Sequence, residues 1–170
     1  MCLILNAIIL IFISSVSASV PRTDVTVSGI SSGGAMATQL RIGFSKDISG
    51  CGILAGPPYY CSASGLTTAV RMTGPPSFIF VSNLESKVKY YASNEYIDDR
   101  SNIAGDPVYI FSGKYDKIAY PAVVKLDADL YTRLNATVKT NFDTSAHHGF
   151  PTGNFGATCI SLNLANYINN

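Results

Sequence analysis

A serine placed between glycines is the residue of this sequence whose setting most strongly suggests chemistry. Residues 29–33 read GISSG, the G-x-S-x-G pattern, and they follow a β-branched run at residues 25–28. A helical pattern comes next, at residues 34–44. A strand, a sharp turn and a helix in this order form a nucleophile elbow, in which small glycines let the backbone turn. The pattern predicts that Ser31 is a nucleophile; the alternatives are a Ser/Gly-rich loop and a phosphate-binding turn.

The general base that a serine nucleophile needs has two candidates. A serine hydroxyl is a poor nucleophile at neutral pH, so a neighbouring base must take its proton. The chain contains two histidines, His147 and His148, which are adjacent and follow the last predicted strand. If there is a catalytic triad, one of them belongs to it. The alternative is a pair of solvated loop histidines.

An acidic residue is expected to orient the imidazole and stabilise its cation. Asp116 follows the apolar run 108–111 by a short turn, and reacting groups in open parallel sheets gather beyond the carboxyl ends of strands. The order Ser31, Asp116, His148 is the triad order of α/β-hydrolases. The pair Asp98-Asp99 competes, although an acidic pair before an arginine is more typical of a turn or a surface ion pair.

The elements that must position these residues alternate along the chain. Apolar runs and alternating patterns predict strands, and stripes spaced by three or four residues predict helices. The predicted strands are 25–28, 52–56, 108–111 and 136–142, and the predicted helices are 34–44, 84–92 and 121–134. This alternation predicts an α/β fold with a mostly parallel sheet flanked by helices.

The first residues and the composition indicate an exported single domain. Residues 3–13 are apolar except for one asparagine, and small residues before position 19 fit a secretory cleavage after Ala18. An uncleaved membrane anchor is the alternative, but the run is about half the roughly 20 residues that span a bilayer. Residues 1–18 are therefore predicted to be a signal peptide and 19–170 one domain. Twelve basic and eleven acidic residues give no basic surface for nucleic acid.

Several longer stretches extend the pattern around these residues. They are SGISSGGAMA at 28–37, AGPPYYC at 55–61, IDDRSN at 97–102, VYIFSGKYD at 108–116, and HGFPT at 148–152 with NFG at 154–156 and Cys159 behind it. With these stretches in this order, the sequence resembles the poly(3-hydroxybutyrate) depolymerase-like family of secreted esterases. The resemblance covers nearly all of the chain after residue 18.

The resemblance implies a role for each site residue. Ser31 would be the nucleophile, Asp116 the triad acid and His148, which occupies the family's His-x-Phe-Pro-Thr position, the base. The backbone N–H of Ser32 would be one oxyanion donor. The fold would be a circularly permuted α/β-hydrolase, which places the elbow near the start of the mature chain.

The sequence also departs from the family pattern. It stops at Asn170, where relatives continue directly into another cysteine, so we expect a C-terminally truncated, incomplete sheet that lacks the second oxyanion donor. Arg71 stands where relatives often have a cysteine. Three cysteines remain after residue 18, and a Cys51–Cys61 disulfide is one open pairing. The sequon at Asn135 is a candidate glycosylation site, or an unmodified polar turn.

The function that these features predict is ester hydrolysis outside the cell, on poly(3-hydroxybutyrate)-type polyesters or their oligomers, through a Ser-His-Asp triad and an acyl-enzyme. One alternative is a truncated, inactive family member or polymer-binding remnant. Another is a feruloyl or acetyl esterase acting on plant polysaccharides, since one hydrolase fold serves many esters. We expect no metal, cofactor, nucleic acid or stable membrane partner, and the sequence gives no oligomeric state.

Overall fold

A computed structural model describes residues 25–61, 75–162 and 167–169 of the chain. The predicted signal peptide at 1–18 and Arg71 lie outside these residues. Among the helices of the described part, none is long and apolar enough to cross a bilayer.

The described residues form a four-stranded parallel sheet with helices between its strands. The strands are β1 (Val25–Ile30), β2 (Ile48–Leu54), β3 (Pro107–Phe111) and β4 (Thr137–Asn141), in the spatial order β1-β2-β3-β4. The helices are α1 (Ser32–Gly43), α2 (Val81–Ser93) and α3 (Pro121–Arg133). The predicted α/β class is confirmed.

The sequence explains the bounds of α3 but not the start of β2. Pro121 opens α3, where its fixed φ suits the first turn and its missing N–H costs nothing. The helix ends just before Asn135, which takes a left-handed φ of 62° that asparagine tolerates better than most residues. Strand β2 starts earlier than predicted, because Ile48 already pairs with Val25 of β1. This part of β2 has glycines at alternate positions. Because glycine has a low propensity for strands, the sequence does not predict a strand there.

The helices cover one face of the sheet. Helix α1 packs on β1 and β2, and α3 packs on β3 and β4. The Thr38 hydroxyl of α1 donates to Asp127 Oδ2 of α3 at 3.1 Å, so both helices lie on the same side. Right-handed crossovers in a strand order that never reverses place every connecting helix on that side. Among the described residues, the prediction of a sheet flanked by helices is therefore confirmed for one face of the sheet.

The opposite face of the sheet is open among the described residues. It forms a shallow groove of about 500 Å³, lined by residues that include Thr26, Ser28, Tyr109, Thr137 and Lys139. Parallel sheets usually have both faces covered. The hydrophobic core consequently lies between the sheet and the helices, around Ile53, Ile110, Val124 and Leu130.

Candidate active site

Ser31 lies on a strained turn between β1 and α1. It has φ 58° and ψ −117°, a conformation that non-glycine residues rarely adopt. Its backbone N–H donates to the Leu54 carbonyl at the end of β2, at 2.9 Å. The side chain is partly exposed and makes no capping hydrogen bond with its own helix. This is the strand-turn-helix geometry that the sequence pattern predicts, and the hydroxyl is not occupied by a structural role at the helix start.

Two glycines allow this turn to pack. A Cβ on Gly29 would stand 2.3 Å from the Gly33 carbonyl carbon, and one on Gly34 would stand 2.9 Å from the Leu54 oxygen. A Cβ on Gly33 would meet nothing within 4 Å. Gly29 and Gly34 therefore must lack a side chain for this turn to form. Gly33, the second glycine of the G-x-S-x-G pattern, has room for one.

The residue after Ser31 presents a backbone donor. Ser32 is the first residue of α1, and the N–H groups in the first turn of a helix have no partner within it. The helix start also carries no acidic residue in its first turn. A developing negative charge beside Ser31 would thus meet an N–H group and the positive end of the helix dipole.

His148 and Asp116 form a buried hydrogen-bonded pair. His148 Nδ1 lies 2.8 Å from Asp116 Oδ2, and the two residues are 1% and 4% exposed. The other oxygen, Asp116 Oδ1, accepts the backbone N–H groups of Ile118 and Ala119, both at 2.8 Å. These three hydrogen bonds fix the carboxylate in one orientation towards the imidazole.

The pair also fixes the role of each imidazole nitrogen. An ionised carboxylate only accepts hydrogen bonds, so Nδ1 of His148 must be the donor to Asp116. Its Nε2 then carries the lone pair that can take up a proton. His147, the other candidate base, is partly exposed, lies with its ring centroid 6.4 Å from that of Tyr115, and donates its backbone N–H to Cys159.

Ser31 and the His148–Asp116 pair share one edge of the sheet. Ser31 follows β1 and Asp116 follows β3, so both lie beyond the carboxyl ends of parallel strands. One strand separates β1 from β3, which corresponds to about 10 Å between their axes. His148 reaches this edge from the loop after β4.

Close packing of two loops brings the histidine to the aspartate. A Cβ on Gly113 would stand 2.4 Å from the Ala146 oxygen. The backbone N–H of Tyr115 donates to that same oxygen at 2.9 Å. Because Gly113 has no side chain, the loop after β3 can lie directly on the loop that carries His148.

Tyr167 is a neighbour of the site that sequence reasoning missed. Its ring stands edge-on to His148, with 5.4 Å between the centroids. Two short strands hold it there, β5 (Phe150–Pro151) and β6 (Ile168–Asn169), and Phe150 N–H donates to the Tyr167 carbonyl. A two-residue strand has no periodicity, so the sequence offers no signal for this contact.

The competing aspartates have structural roles at the other edge of the sheet. Asp98 Oδ2 accepts the backbone N–H of Lys46, just before β2. Asp99 Oδ1 accepts the backbone N–H of Ser101 at 2.7 Å and caps a short 3₁₀ turn; this hydrogen bond lowers the pKa of Asp99. The seven residues of β2 separate this edge from Ser31 by about 20 Å.

The cysteines do not form the pairing that the sequence left open. Cys51 and Cys61 are buried and not joined to each other by a disulfide. Cys51 instead directs its thiol to the Tyr131 hydroxyl at 3.6 Å, on the helix-covered side of β2. Burial raises the pKa of the Cys51 thiol to about 12, so it is not a competing nucleophile.

Asn135 is exposed in the turn between α3 and β4, where a glycan would meet no packed surface. Its glycosylation stays a prediction. Among the residues that the structure describes, no cluster of three histidine, cysteine or acidic side chains could hold a metal ion.

The fold and the site together define a class: a hydrolase-like α/β domain with a serine elbow and a buried acid–base pair at the carboxyl edge of its sheet. Solved structures with this fold include a PHB depolymerase from Penicillium funiculosum, at TM-score 0.72 and 30% identity, which matches 86% of this chain and 46% of that one. A PHB depolymerase complexed with an R3HB trimer matches the same shares at TM-score 0.72 and 28% identity.

Two curated relatives are polyhydroxybutyrate depolymerases, like the two solved structures. A poly(3-hydroxybutyrate) depolymerase from Delftia acidovorans is 34% identical over 144 residues, 82% of this chain and 29% of the relative. A polyhydroxybutyrate depolymerase from Talaromyces funiculosus is 34% identical over 157 residues, 89% of this chain and 45% of the relative. No family model matches the chain. The chain thus spans less than half the length of these relatives, and its predicted resemblance to the polyhydroxybutyrate depolymerases is confirmed.

Proposed function

We propose that this protein hydrolyses the ester bonds of poly(3-hydroxybutyrate)-type polyesters or their oligomers, with Ser31, His148 and Asp116 as its catalytic triad. The observation that carries the proposal is the buried His148–Asp116 pair beyond β3, at the same sheet edge as the strained Ser31 turn. The names of the relatives give the substrate class.

The first half of the reaction would form an acyl-enzyme. Ser31 Oγ attacks the ester carbonyl carbon while His148 Nε2 takes the hydroxyl proton, and Asp116 stabilises the imidazolium. The Ser32 N–H donates to the oxyanion of the tetrahedral intermediate. When the intermediate collapses, the carbon–oxygen bond of the ester breaks, and His148 returns its proton to the leaving alkoxide, which departs as the hydroxyl end of one fragment.

The second half would regenerate the serine. A water molecule attacks the acyl carbon, and His148 takes one of its protons. The bond to Ser31 Oγ then breaks, and His148 protonates that oxygen. The products are a carboxylic acid on one fragment, a hydroxyl group on the other, and free enzyme, so one water is consumed for each ester cleaved.

The experiment that tests this function is hydrolysis by the purified chain with Ser31→Ala as the matched control. We expect release of 3-hydroxybutyrate from the polymer or its oligomers, faster than release from feruloyl or acetyl esters of polysaccharides, and none with Ser31→Ala. A chain that folds and binds the polymer but cleaves no ester would instead be a binding remnant. Faster cleavage of feruloyl or acetyl esters would reassign the substrate.

We further propose that the protein is exported and that residues 1–18 are its leader. The apolar run at 3–13 and the small residues before position 19 support this proposal. Expression of the full chain in a secreting host should give a medium form that begins at Ser19. A cell-bound form that keeps its N-terminal methionine would contradict it.

A further inference from the structure

An open cavity lies beside the acid of the candidate triad. It has a volume of about 760 Å³ and is formed by the loop between β3 and α3 together with the first turns of α3. Its lining combines apolar and cationic groups: Tyr115, Tyr120, Pro121 and Ala122 with Lys114, Lys117 and Lys125, next to Asp116. A cavity that combines apolar surface with cationic groups suits a ligand that has an apolar part and a negative charge.

The lining of this cavity carries an excess of positive charge, since three lysines stand beside one carboxylate, Asp116. None of Lys114, Lys117 and Lys125 forms an ion pair with a carboxylate of the described residues. The Asp116 carboxylate is occupied by His148 and by two backbone N–H groups. The first turn of α3 has no acidic side chain. The three ammonium groups are exposed, so an anion that enters the cavity can contact them.

Aromatic rings hold two of the three amines in place. Lys114 Nζ lies 5.9 Å from the centroid of the Tyr115 ring, and Lys125 Nζ lies 5.4 Å from that of Phe142. Such cation–π contacts restrict long side chains that would otherwise sample many rotamers. Part of the entropy cost of ordering the lysines around an anion is consequently met before the ligand binds.

We propose that this cavity binds the carboxylate end of an aliphatic hydroxyacid chain, with its methyl and methylene groups on the tyrosine and proline surfaces and its carboxylate among Lys114, Lys117 and Lys125. The inference rests on the proposed esterase function, because each ester hydrolysis produces one new carboxylate end. The cavity would make the enzyme prefer oligomers with a free carboxyl end over the same oligomers with that end esterified.

The test compares one substrate with its carboxyl end free and with that end esterified. The kcat and KM would be measured for a 3-hydroxybutyrate trimer as the free acid and as its methyl ester, in the wild-type chain and in a Lys114→Gln, Lys117→Gln, Lys125→Gln triple variant. Each exposed ion pair contributes only a few-fold, so the three together should raise KM for the free acid roughly tenfold and leave the methyl ester unchanged. A Lys46→Gln, Lys87→Gln, Lys139→Gln variant has the same net charge and should change neither.

Either of two results would overturn the inference: a cavity variant that keeps the wild-type ratio of free acid to methyl ester, or a control variant that loses it equally. Binding is measured separately by titrating 3-hydroxybutyrate, and inorganic phosphate as a comparison anion, into the Ser31→Ala chain while following the backbone amides of residues 114–125. We expect 3-hydroxybutyrate to shift these amides at a lower concentration than phosphate does, because only the hydroxyacid also contacts the apolar part of the lining. Equal shifts with both would show an unselective anion surface and contradict the proposal.

These measurements separate the two proposals. If the wild-type chain cleaves neither the trimer nor its methyl ester, the proposed function fails, and the titration still decides whether the cavity binds the carboxylate. If both substrates are cleaved and the titration shows no binding at residues 114–125, the function stands and the cavity proposal is wrong.

Discussion

Strand β3 has a buried carboxylate near each of its ends, and the two differ in their partners. Asp106, just before β3, forms an ion pair with Arg41 of α1. Asp116, beyond the other end, is hydrogen-bonded to His148. An arginine stays protonated in a protein and cannot accept a proton, whereas a histidine can. The two ends of one strand thus differ in chemistry, because only the pair that contains a histidine can exchange a proton.

The surroundings of the two carboxylates also indicate different roles for the two pairs. Arg41 is fully buried and also donates to the backbone carbonyls of Ser45 and Asn102, which ties α1 to the loops at the amino edge of the sheet. His148 is equally buried, but it keeps Nε2 for a proton and shares its sheet edge with a partly exposed serine. We therefore propose that the first pair stabilises the fold and that the second pair is catalytic.

The largest expected effect concerns the catalytic pair. Asp116→Asn should lower kcat/KM by about 10⁴-fold, because an amide at this position stabilises the wrong imidazole tautomer and no imidazolium. The fold should persist, since the amide oxygen can still accept the Ile118 and Ala119 N–H groups. Ester hydrolysis and circular dichroism of the same preparation measure the two parts. Activity within tenfold of the wild type would remove Asp116 from the triad.

The matched change at the other end of β3 should have the opposite outcome. Asp106→Asn removes the carboxylate that pairs with the buried Arg41 guanidinium, and we expect a loss of about 3–5 kcal/mol in the free energy of unfolding. Activity per folded molecule should stay near the wild-type value. Urea unfolding and active-site titration check these two quantities. A stable protein with greatly reduced activity would reverse the assignment of the two pairs.

The elbow glycines give a smaller effect with an internal control. Gly29→Ala places a methyl group against the Gly33 backbone and should cost about 1–3 kcal/mol of stability, together with activity, because the Ser31 turn must shift. Gly33→Ala meets open space inside α1 and should stabilise the protein by about 0.4–1 kcal/mol. Thermal unfolding of the two variants compares them. Equal destabilisation would show that Gly33 has a conformational role that its free space does not reveal.

The last expected effect is a pH dependence of stability that arises in the buried layer between α1 and α3. Burial raises the pKa of Asp127 well above its ordinary value, and the Thr38 hydroxyl is its one hydrogen-bond donor among the residues that the structure describes. The folded state then holds a proton that the unfolded state releases at lower pH. The contribution of Asp127 to stability should therefore fall as pH rises above about 4, by at most about 1.4 kcal/mol per pH unit.

Asp127→Asn tests this sign directly, because it removes the titrating group and keeps the shape. The difference in unfolding free energy between Asp127→Asn and the wild type should grow in favour of the variant from about pH 4 upward, until the folded-state pKa is passed. Urea unfolding at several pH values measures it. A constant difference across that range would mean that Asp127 is ionised in the fold.

Much of the site could be predicted from local pattern, and the rest depends on contacts between distant residues. The GISSG turn and the residue types of the triad are local features, so the residue pattern indicates Ser31, Asp116 and one of two adjacent histidines, and the family resemblance selects His148. Gly34 has no room for a side chain because β2 lies against it, and Tyr167 contacts His148 because it lies next to β6. Both contacts join residues that are far apart in the sequence. The open face of the sheet follows from the spatial order of the strands. The periodicity of the sequence carries no information about that order.

The central claim is that the His148–Asp116 pair activates Ser31, and covalent labelling with a fluorophosphonate tests it most directly. Mass spectrometry of the folded wild-type chain should place the adduct on Ser31. Asp106→Asn should be labelled at the wild-type rate, and Asp116→Asn at a rate lower by several orders of magnitude. An adduct that is absent from Ser31 in folded protein, or an unchanged rate in Asp116→Asn, would contradict the account.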